Sequence, residues 1–203
     1  MSQIRAILFD FGGVLAEEGF SNGLEALAME QHLAVEDMTT EGMKAVYDSG
    51  YVLGKASETE FWSLLRERTG VRGSDTELRT RMFDGFVMRP WMLELIQGLK
   101  AQGYITAILS DQTDWLDKLE AVHHFYQYFD RIYNSYDLGK GKRDPSQFSD
   151  VAADLGLHPS AILFVDDSAK NVATAEKAGM LAIQYVDQET FIKALQEAIQ
   201  RPY

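Results

Sequence analysis

Two periodicities divide this chain. The first apolar block is Ile7, Leu8 and Phe9, which ends on Asp10 and is followed at once by Phe11, Gly12 and Gly13. A short continuous apolar run predicts a buried strand, and the paired glycines predict an abrupt end where the backbone comes close to something. From about 17 to 89 the spacing is helical instead. Leu24, Leu27 and Ala28 share one face, and Met38, Gly42, Ala45 and Val46 share another. Ser57 with Glu60, and Ser74 with Glu77, have capping-box spacing. The first opens a helix carrying Phe61, Trp62, Leu64 and Leu65 and closed by Gly70; the second opens one carrying Leu78, Met82 and Phe86. No convincing strand pattern interrupts this block.

After residue 89 the pattern becomes a regular alternation of helix and strand. Pro90 suits a first helical position, with Leu93, Ile96 and Leu99 as the stripe and Gly103 as the stop. A strand over 105–109 runs into Ser110, Asp111, Gln112 and Thr113. A helix over about 115–124, a short strand over 131–134 and a cationic loop over 139–145 follow. The next helix ends before Gly156, and the apolar run 161–165 delivers the adjacent Asp166 and Asp167. A helix over about 171–178, a strand over 181–186 and a helix over 191–199 complete the pattern. Repeated strand-helix units predict an α/β fold with a mostly parallel sheet covered on both faces. The expected division is a core of 1–16 plus 90–203 and an inserted helical unit of 17–89.

Composition narrows the function classes. The 203 residues are 46% hydrophobic and 25% charged, and 31 acids against 19 bases give a net charge of -12. That charge disfavours non-specific binding to nucleic acid or an anionic membrane. The chain has no cysteine, which removes disulfides and thiolate metal sites and suits a reducing cytoplasm. Met1 to Arg5 leads directly into a strand pattern, so no signal peptide is expected, and no apolar run is long enough to span a bilayer. The pattern leaves the oligomeric state open.

The predicted strand ends carry the chemistry. Ligands of open parallel sheets bind beyond the carboxyl ends of the strands, and the groups expected there are Asp10, Ser110, Lys142 and the pair Asp166 and Asp167. Three converging carboxylates call for a cation, and a hard, oxygen-preferring ion such as Mg²⁺ meets that need. Ser110 is suited to donate to a phosphoryl oxygen, and Lys142 to neutralise charge on a nucleophile and on a transferring group. Lys140, two residues earlier, competes with Lys142 for that role.

The segments FDFGGVL, GKASETEFW, ILSDQT, GKGKRDP and FVDDSAKN, in this order, resemble the haloacid dehalogenase-like hydrolase superfamily, in the branch whose helical cap follows the first strand. The resemblance spans nearly the whole chain. It implies a Rossmann-like doubly wound core with an all-helical cap and Mg²⁺-dependent hydrolysis of a small phosphorylated metabolite. Asp10 would be the nucleophile, forming an aspartyl-phosphate, with Ser110 and Lys142 as catalytic partners. The metal would be held by Asp10, the Gly12 carbonyl, Asp166 and Asp167; Ser110, Asp111, Lys142 and Glu17 would bind substrate.

Departures from the family pattern make the sequence individual. Gly12 stands where phosphatases of the family usually carry a second aspartate, the general acid and base. Asp111 replaces a more usual asparagine, and Arg143 a proline. Glu17 and Glu18 are the nearby acids that could replace the lost aspartate, although glutamates at a helix entry are commonly exposed. Cleavage of phosphonates or 2-haloacids, or a weakened phospho-ligand-binding role, is the alternative. Phosphonate cleavage would need a cap lysine, for which Lys44 and Lys55 are the candidates. Asn171 either holds a metal-bound water or caps its helix. Phe61, Trp62 and Trp115 are read as core, and His123 and His124 as partners of helix-end carbonyls.

Overall fold

The computed structural model describes residues 3–200. Met1 and Ser2, at the start of the stretch read as leading into the first strand, lie outside the described residues, as do 201–203 of the expected core segment. Five strands, β1 (Ala6–Phe9), β2 (Ile105–Ser110), β3 (Arg131–Asn134), β4 (Ile162–Asp166) and β5 (Leu181–Gln184), form one parallel sheet in the order β3-β2-β1-β4-β5. Every residue of β1 is buried, as expected of a central parallel strand covered on both sides.

Alternation along β1 sorts the core into two layers. Ile7 and Phe9 join Met92, Ile96 and Leu99 of α5 (Pro90–Ala101), Leu116 and Leu119 of α6 (Trp115–His123), and Phe191 and Leu195 of α10 (Gln188–Gln200). Ala6 and Leu8 face the other way. They meet Phe148, Val151 and Ala152 of α8 (Ser146–Asp154) and Ala175 of α9 (Ala169–Lys177). Helices on both faces of a parallel sheet make this a Rossmann-like α/β fold.

The stretch between β1 and α5 contains α1 (Gly19–Glu30), α2 (Val35–Asp48), α3 (Glu58–Thr69) and α4 (Asp75–Asp84), with a single 3-10 turn at Tyr51–Leu53. Both expected capping boxes form: the Ser57 and Ser74 hydroxyls accept from the amides of Glu60 and Glu77, whose carboxylates accept from the serine amides in return. Each such cap contributes about 1 kcal/mol to helix stability. Gly70 closes α3 in the left-handed conformation. The four helices pack on one another and meet the rest of the molecule at Trp115 of α6, whose ring lies 5.7–6.2 Å from those of Phe20, Tyr51, Phe61, Trp62 and Phe83. Phe61, Trp62 and Trp115 are fully buried.

Differences from the sequence reading are local. A one-turn helix, α7 (Ser135–Leu138), follows β3 where only a loop is expected, started by the Asn134 side-chain Oδ1 accepting from the Tyr136 amide. Four residues are too few for apolar periodicity to register. β5 stops at Gln184, short of 186, and β4 runs to Asp166 itself. No helix among the described residues is long and apolar enough to cross a membrane.

Candidate active site

The order β3-β2-β1-β4-β5 places the topological switch between β1 and β4, and a parallel sheet opens a crevice there at its carboxyl edge. Phe9 is in register with Ile108 on one side and Val165 on the other. Asp10 therefore leaves the sheet level with Asp166 and next to Ser110. The Asp10 amide still donates to the Val165 carbonyl at 2.9 Å, which keeps the residue rigid after the strand ends.

Asp10 Oδ1 accepts from Ser110 Oγ at 2.6 Å and from the Phe11 amide at 2.7 Å. Asp10 Oδ2 lies 2.5 Å from Lys142 Nζ, and Asp166 Oδ2 lies 2.7 Å from the same nitrogen. Lys142 is thus a buried ammonium between two carboxylates. Lys140 turns elsewhere, pairing with Asp150 and donating to Ser146 Oγ at 2.8 Å. Burial works against the Lys142 charge, but Asp10, Asp166 and Asp111 outweigh it and hold its pKa above the ordinary lysine value. Burial also pushes the Asp10 carboxyl upward against the opposing charge of Lys142. A cation beside it would draw it back toward carboxylate.

Oxygens of Asp10, Asp166 and Asp167 lie within 4.8 Å of one another. An all-carboxylate cluster of that size fits a hard divalent cation. Asp166 is already well occupied: besides Lys142 it accepts from the Ser168 amide at 2.8 Å, and both its oxygens accept from Asn171 Nδ2 at 3.1 Å. Asn171 therefore grips Asp166, a role beside the two expected for it. Asp167 is half-buried, and burial, with Asp166 adding, raises its pKa. Gly13 has φ +76°, and a Cβ on it would lie 2.4 Å from Asp167 Cγ. Only glycine meets both demands, the left-handed backbone and the close approach.

Asp111 and Glu17 depart from their expected substrate contacts. Asp111 lines the cavity, but its carboxylate is turned to the lysine loop and the helical segment: it accepts from the Lys142 amide and from Tyr47 Oη. Glu17 does not reach the site. It is exposed, and its Oε2 pairs with Arg89 Nη2 at 2.9 Å. The cause is local: the Glu17 amide donates to the Val87 carbonyl, and this pairing turns the Glu17 side chain outward and Glu18 inward.

Glu18 lines the cavity that also exposes Asp10, Gly12, Ser110, Lys142 and Asp167. An ideal Cβ on Gly12 would sit 2.9 Å from Glu18 Oε2. The glutamate carboxyl thus fills the space beside a missing side chain. Burial pushes its pKa to about 7, Asp167 adding to the shift while the Ser21 amide and Lys142 oppose it.

Two supporting residues have no sequence signal of their own. Arg89 Nη1 donates to the carbonyls of Gly13, Val14 and Ala16 at 2.7, 2.8 and 3.0 Å, stapling the loop that carries Gly12 and Gly13. Asn134 holds the loop after β2, accepting from the Gln112 amide and donating to the Thr113 carbonyl. The cavity measures about 340 Å³. Its helical wall is made by Phe20, Met43, Val46, Tyr47 and Val52, and its rim includes Arg143 and Lys170. Lys44 and Lys55 do not line it: Lys44 pairs with Glu41 at 2.7 Å, and Lys55 is exposed.

The sequence profile of the haloacid dehalogenase-like hydrolases matches residues 4–179. The chain belongs to this family. As a haloacid dehalogenase-like hydrolase it is 24% identical over 186 residues to a sesquiterpene phosphatase of Aspergillus oryzae, covering 90% of each chain. It is 27% identical over 194 residues to a D-ribitol-5-phosphate phosphatase of Bacteroides thetaiotaomicron, covering 89% of this chain and 91% of that one. Among solved structures, a haloacid dehalogenase family enzyme from Bacteroides thetaiotaomicron superposes with TM-score 0.77 at 23% identity, covering 96% of this chain and 99% of that one. That enzyme has also been solved with magnesium and inorganic phosphate.

Proposed function

We propose that this hydrolase is a Mg²⁺-dependent phosphatase of a small phosphorylated metabolite, acting through an aspartyl-phosphate on Asp10. The observation that carries this reading is the shared environment of Asp10: hydrogen-bonded to Ser110, paired with Lys142 and clustered with Asp166 and Asp167. The two phosphatases named above, and the magnesium and phosphate complex of the structural neighbour, support the same choice.

Asp10 attacks phosphorus from a fixed position, its unreactive oxygen held by the Phe11 amide once Ser110 turns its single hydroxyl proton from Asp10 to the substrate. Lys142 neutralises charge on both Asp10 and the phosphoryl group, and Ser110 is placed to donate to a phosphoryl oxygen. Asp10 and Asp167 would hold Mg²⁺, with Asp166 beside them and, like Asp10, paired directly with Lys142. The ion, when bound, supplies Lewis-acid charge stabilisation for the phosphoryl group. Burial of the acid-lysine core keeps these interactions strong by excluding water.

The helical segment 17–89 serves as the cap, and its wall of Phe20, Met43, Val46 and Val52 receives the organic part of the substrate. A cavity of about 340 Å³ suits a small metabolite. The net charge of -12 sets nucleic acid and anionic membranes aside as partners, and a cytoplasmic setting fits the cysteine-free sequence. Phosphonate cleavage finds no cap lysine at the cavity among its two candidates.

A panel of phosphomonoesters, acyl phosphates, phosphonoacetaldehyde and 2-haloacids, assayed with and without Mg²⁺, tests this reading. Mg²⁺-dependent phosphate release that disappears in Asp10→Asn is expected. Halide release, or phosphate release indifferent to Asp10, overturns it.

A further inference from the structure

The general acid of the family's phosphatases has no side chain here, because its position is Gly12. Two observations locate a replacement. Glu18 Oε2 lies 2.9 Å from where a Cβ on Gly12 would be, so its carboxyl occupies the volume that a side chain at position 12 would enter. The same carboxyl lines the cavity with Asp10, Ser110, Lys142 and Asp167. It is brought there by backbone, not by chance of rotamer. The chain pairs antiparallel at Ala16 with Met88, Glu17 is tied outward to Arg89, and α1 begins at Gly19, leaving Glu18 directed inward. Gly19 itself is pressed against the Phe86 ring, where a Cβ would lie 2.2 Å from Cγ, so the helix entry has little room to shift.

We infer that Glu18 is the general acid and base of the reaction, reaching from the start of the helical segment into the place left by Gly12. This deepens the phosphatase reading and rests on it. In the first step an Asp10 oxygen bonds to phosphorus while the bond from phosphorus to the leaving oxygen breaks. The electron pair goes to that oxygen, which takes the Glu18 proton. In the second step water attacks phosphorus and gives a proton back to Glu18, and the bond to Asp10 breaks with its electron pair returning to the carboxylate. Glycine at 12 and glutamate at 18 are then one functional unit: an aspartate at 12 would meet the glutamate in the same space.

Leaving-group dependence separates this role from a purely structural one. An alkyl phosphate needs its leaving oxygen protonated, whereas a nitrophenyl phosphate does not, so a missing acid penalises the former. In rapid-quench experiments with Mg²⁺, Glu18→Gln is expected to keep the initial burst of nitrophenol within about 10-fold while alkyl phosphate turnover falls about 10²- to 10⁴-fold. Introducing Gly12→Asp into a Glu18→Ala chain is expected to recover at least about 10-fold of the alkyl activity. The same Gly12→Asp change in the native chain should give no gain, because the place is taken. Equal loss on both substrates, no loss on either, or no rescue by the double variant overturns the assignment. A native chain with no burst and no phosphate release from any ester instead overturns the phosphatase reading, and the Glu18 role with it.

Discussion

The Asp111 carboxylate receives the Lys142 backbone amide, at 2.8 Å to one oxygen and 3.1 Å to the other. The contact is tight enough that a Cβ on the preceding Gly141 would lie 2.8 Å from Asp111 Oδ1. Tyr47 Oη donates to the same carboxylate at 3.0 Å, and the Arg143 guanidinium sits over the Tyr47 ring. An acid beside the proposed phosphate site thus has a use: it fixes the lysine loop and joins that loop to α2.

Asp111→Ala should lower turnover of a phosphomonoester roughly 10-fold by loosening Lys142, since small misplacements of catalytic groups carry penalties of this order. Asp111→Asn keeps one acceptor oxygen and should lose less. Steady-state kinetics on both variants checks this ordering, and an unchanged kcat in Asp111→Ala would contradict it.

The two lysines of the 139–145 loop should behave oppositely. Lys142→Met removes the buried ammonium and leaves Asp10 and Asp166 facing each other, so turnover should fall by about 10²-fold or more. Lys140→Ala removes a surface pair with Asp150 and should change kcat by less than about 2-fold, in line with the small worth of exposed ion pairs. Comparable losses in both variants would contradict the placement.

Arg89→Met should destabilise the fold, although Arg89 itself does not line the cavity. The guanidinium bonds to three carbonyls of the loop after β1 and lies 4.8 Å from the Tyr185 ring centroid. Losing a charged donor to buried carbonyls costs roughly 2–3 kcal/mol, or a fall in Tm of about 4–12 °C for a chain of this size. Arg89→Lys should recover only part of it, because a single ammonium cannot span the three carbonyls. Calorimetry provides the comparison.

Glu18 should make stability depend on pH. Its carboxyl is raised from 4.5 to about 7 in the folded chain, so between those values the native state binds more protons than the unfolded one. Stability is then lost as pH rises through that window. With a chelator present, Glu18→Gln removes this loss, so the variant's Tm advantage over the native chain should be larger at pH 8 than at pH 5. The difference at full ionisation is roughly 3 kcal/mol. An advantage equal at both pH values would contradict a buried, raised carboxyl.

Much of the site could be read from sequence because its groups sit at strand ends. Asp10, Ser110 and Asp166 follow apolar runs whose direction is unambiguous, and both capping boxes announce their helices by local spacing. What escaped depends on long-range geometry. Glu17 and Glu18 are neighbours with the same chemistry, and only the pairing of Ala16 with Met88 decides which faces the cavity. Lys140 and Lys142 differ likewise only through the partners that folding brings, Asp150 for one and Asp10 with Asp166 for the other. Arg89 carries no motif, because its partners are backbone carbonyls more than seventy residues earlier. The short helix α7 is below the length at which periodicity can be seen.

Covalent chemistry at Asp10 is the centre of the proposed mechanism. The direct measurement is mass spectrometry of the peptide containing Asp10 after acid quench of the enzyme turning over a phosphorylated substrate with Mg²⁺. A phosphoryl group on Asp10, absent without Mg²⁺ and absent in Asp10→Asn, is the predicted result. Steady phosphate release with Asp10 unmodified at every quench time, and retained in Asp10→Asn, would contradict it.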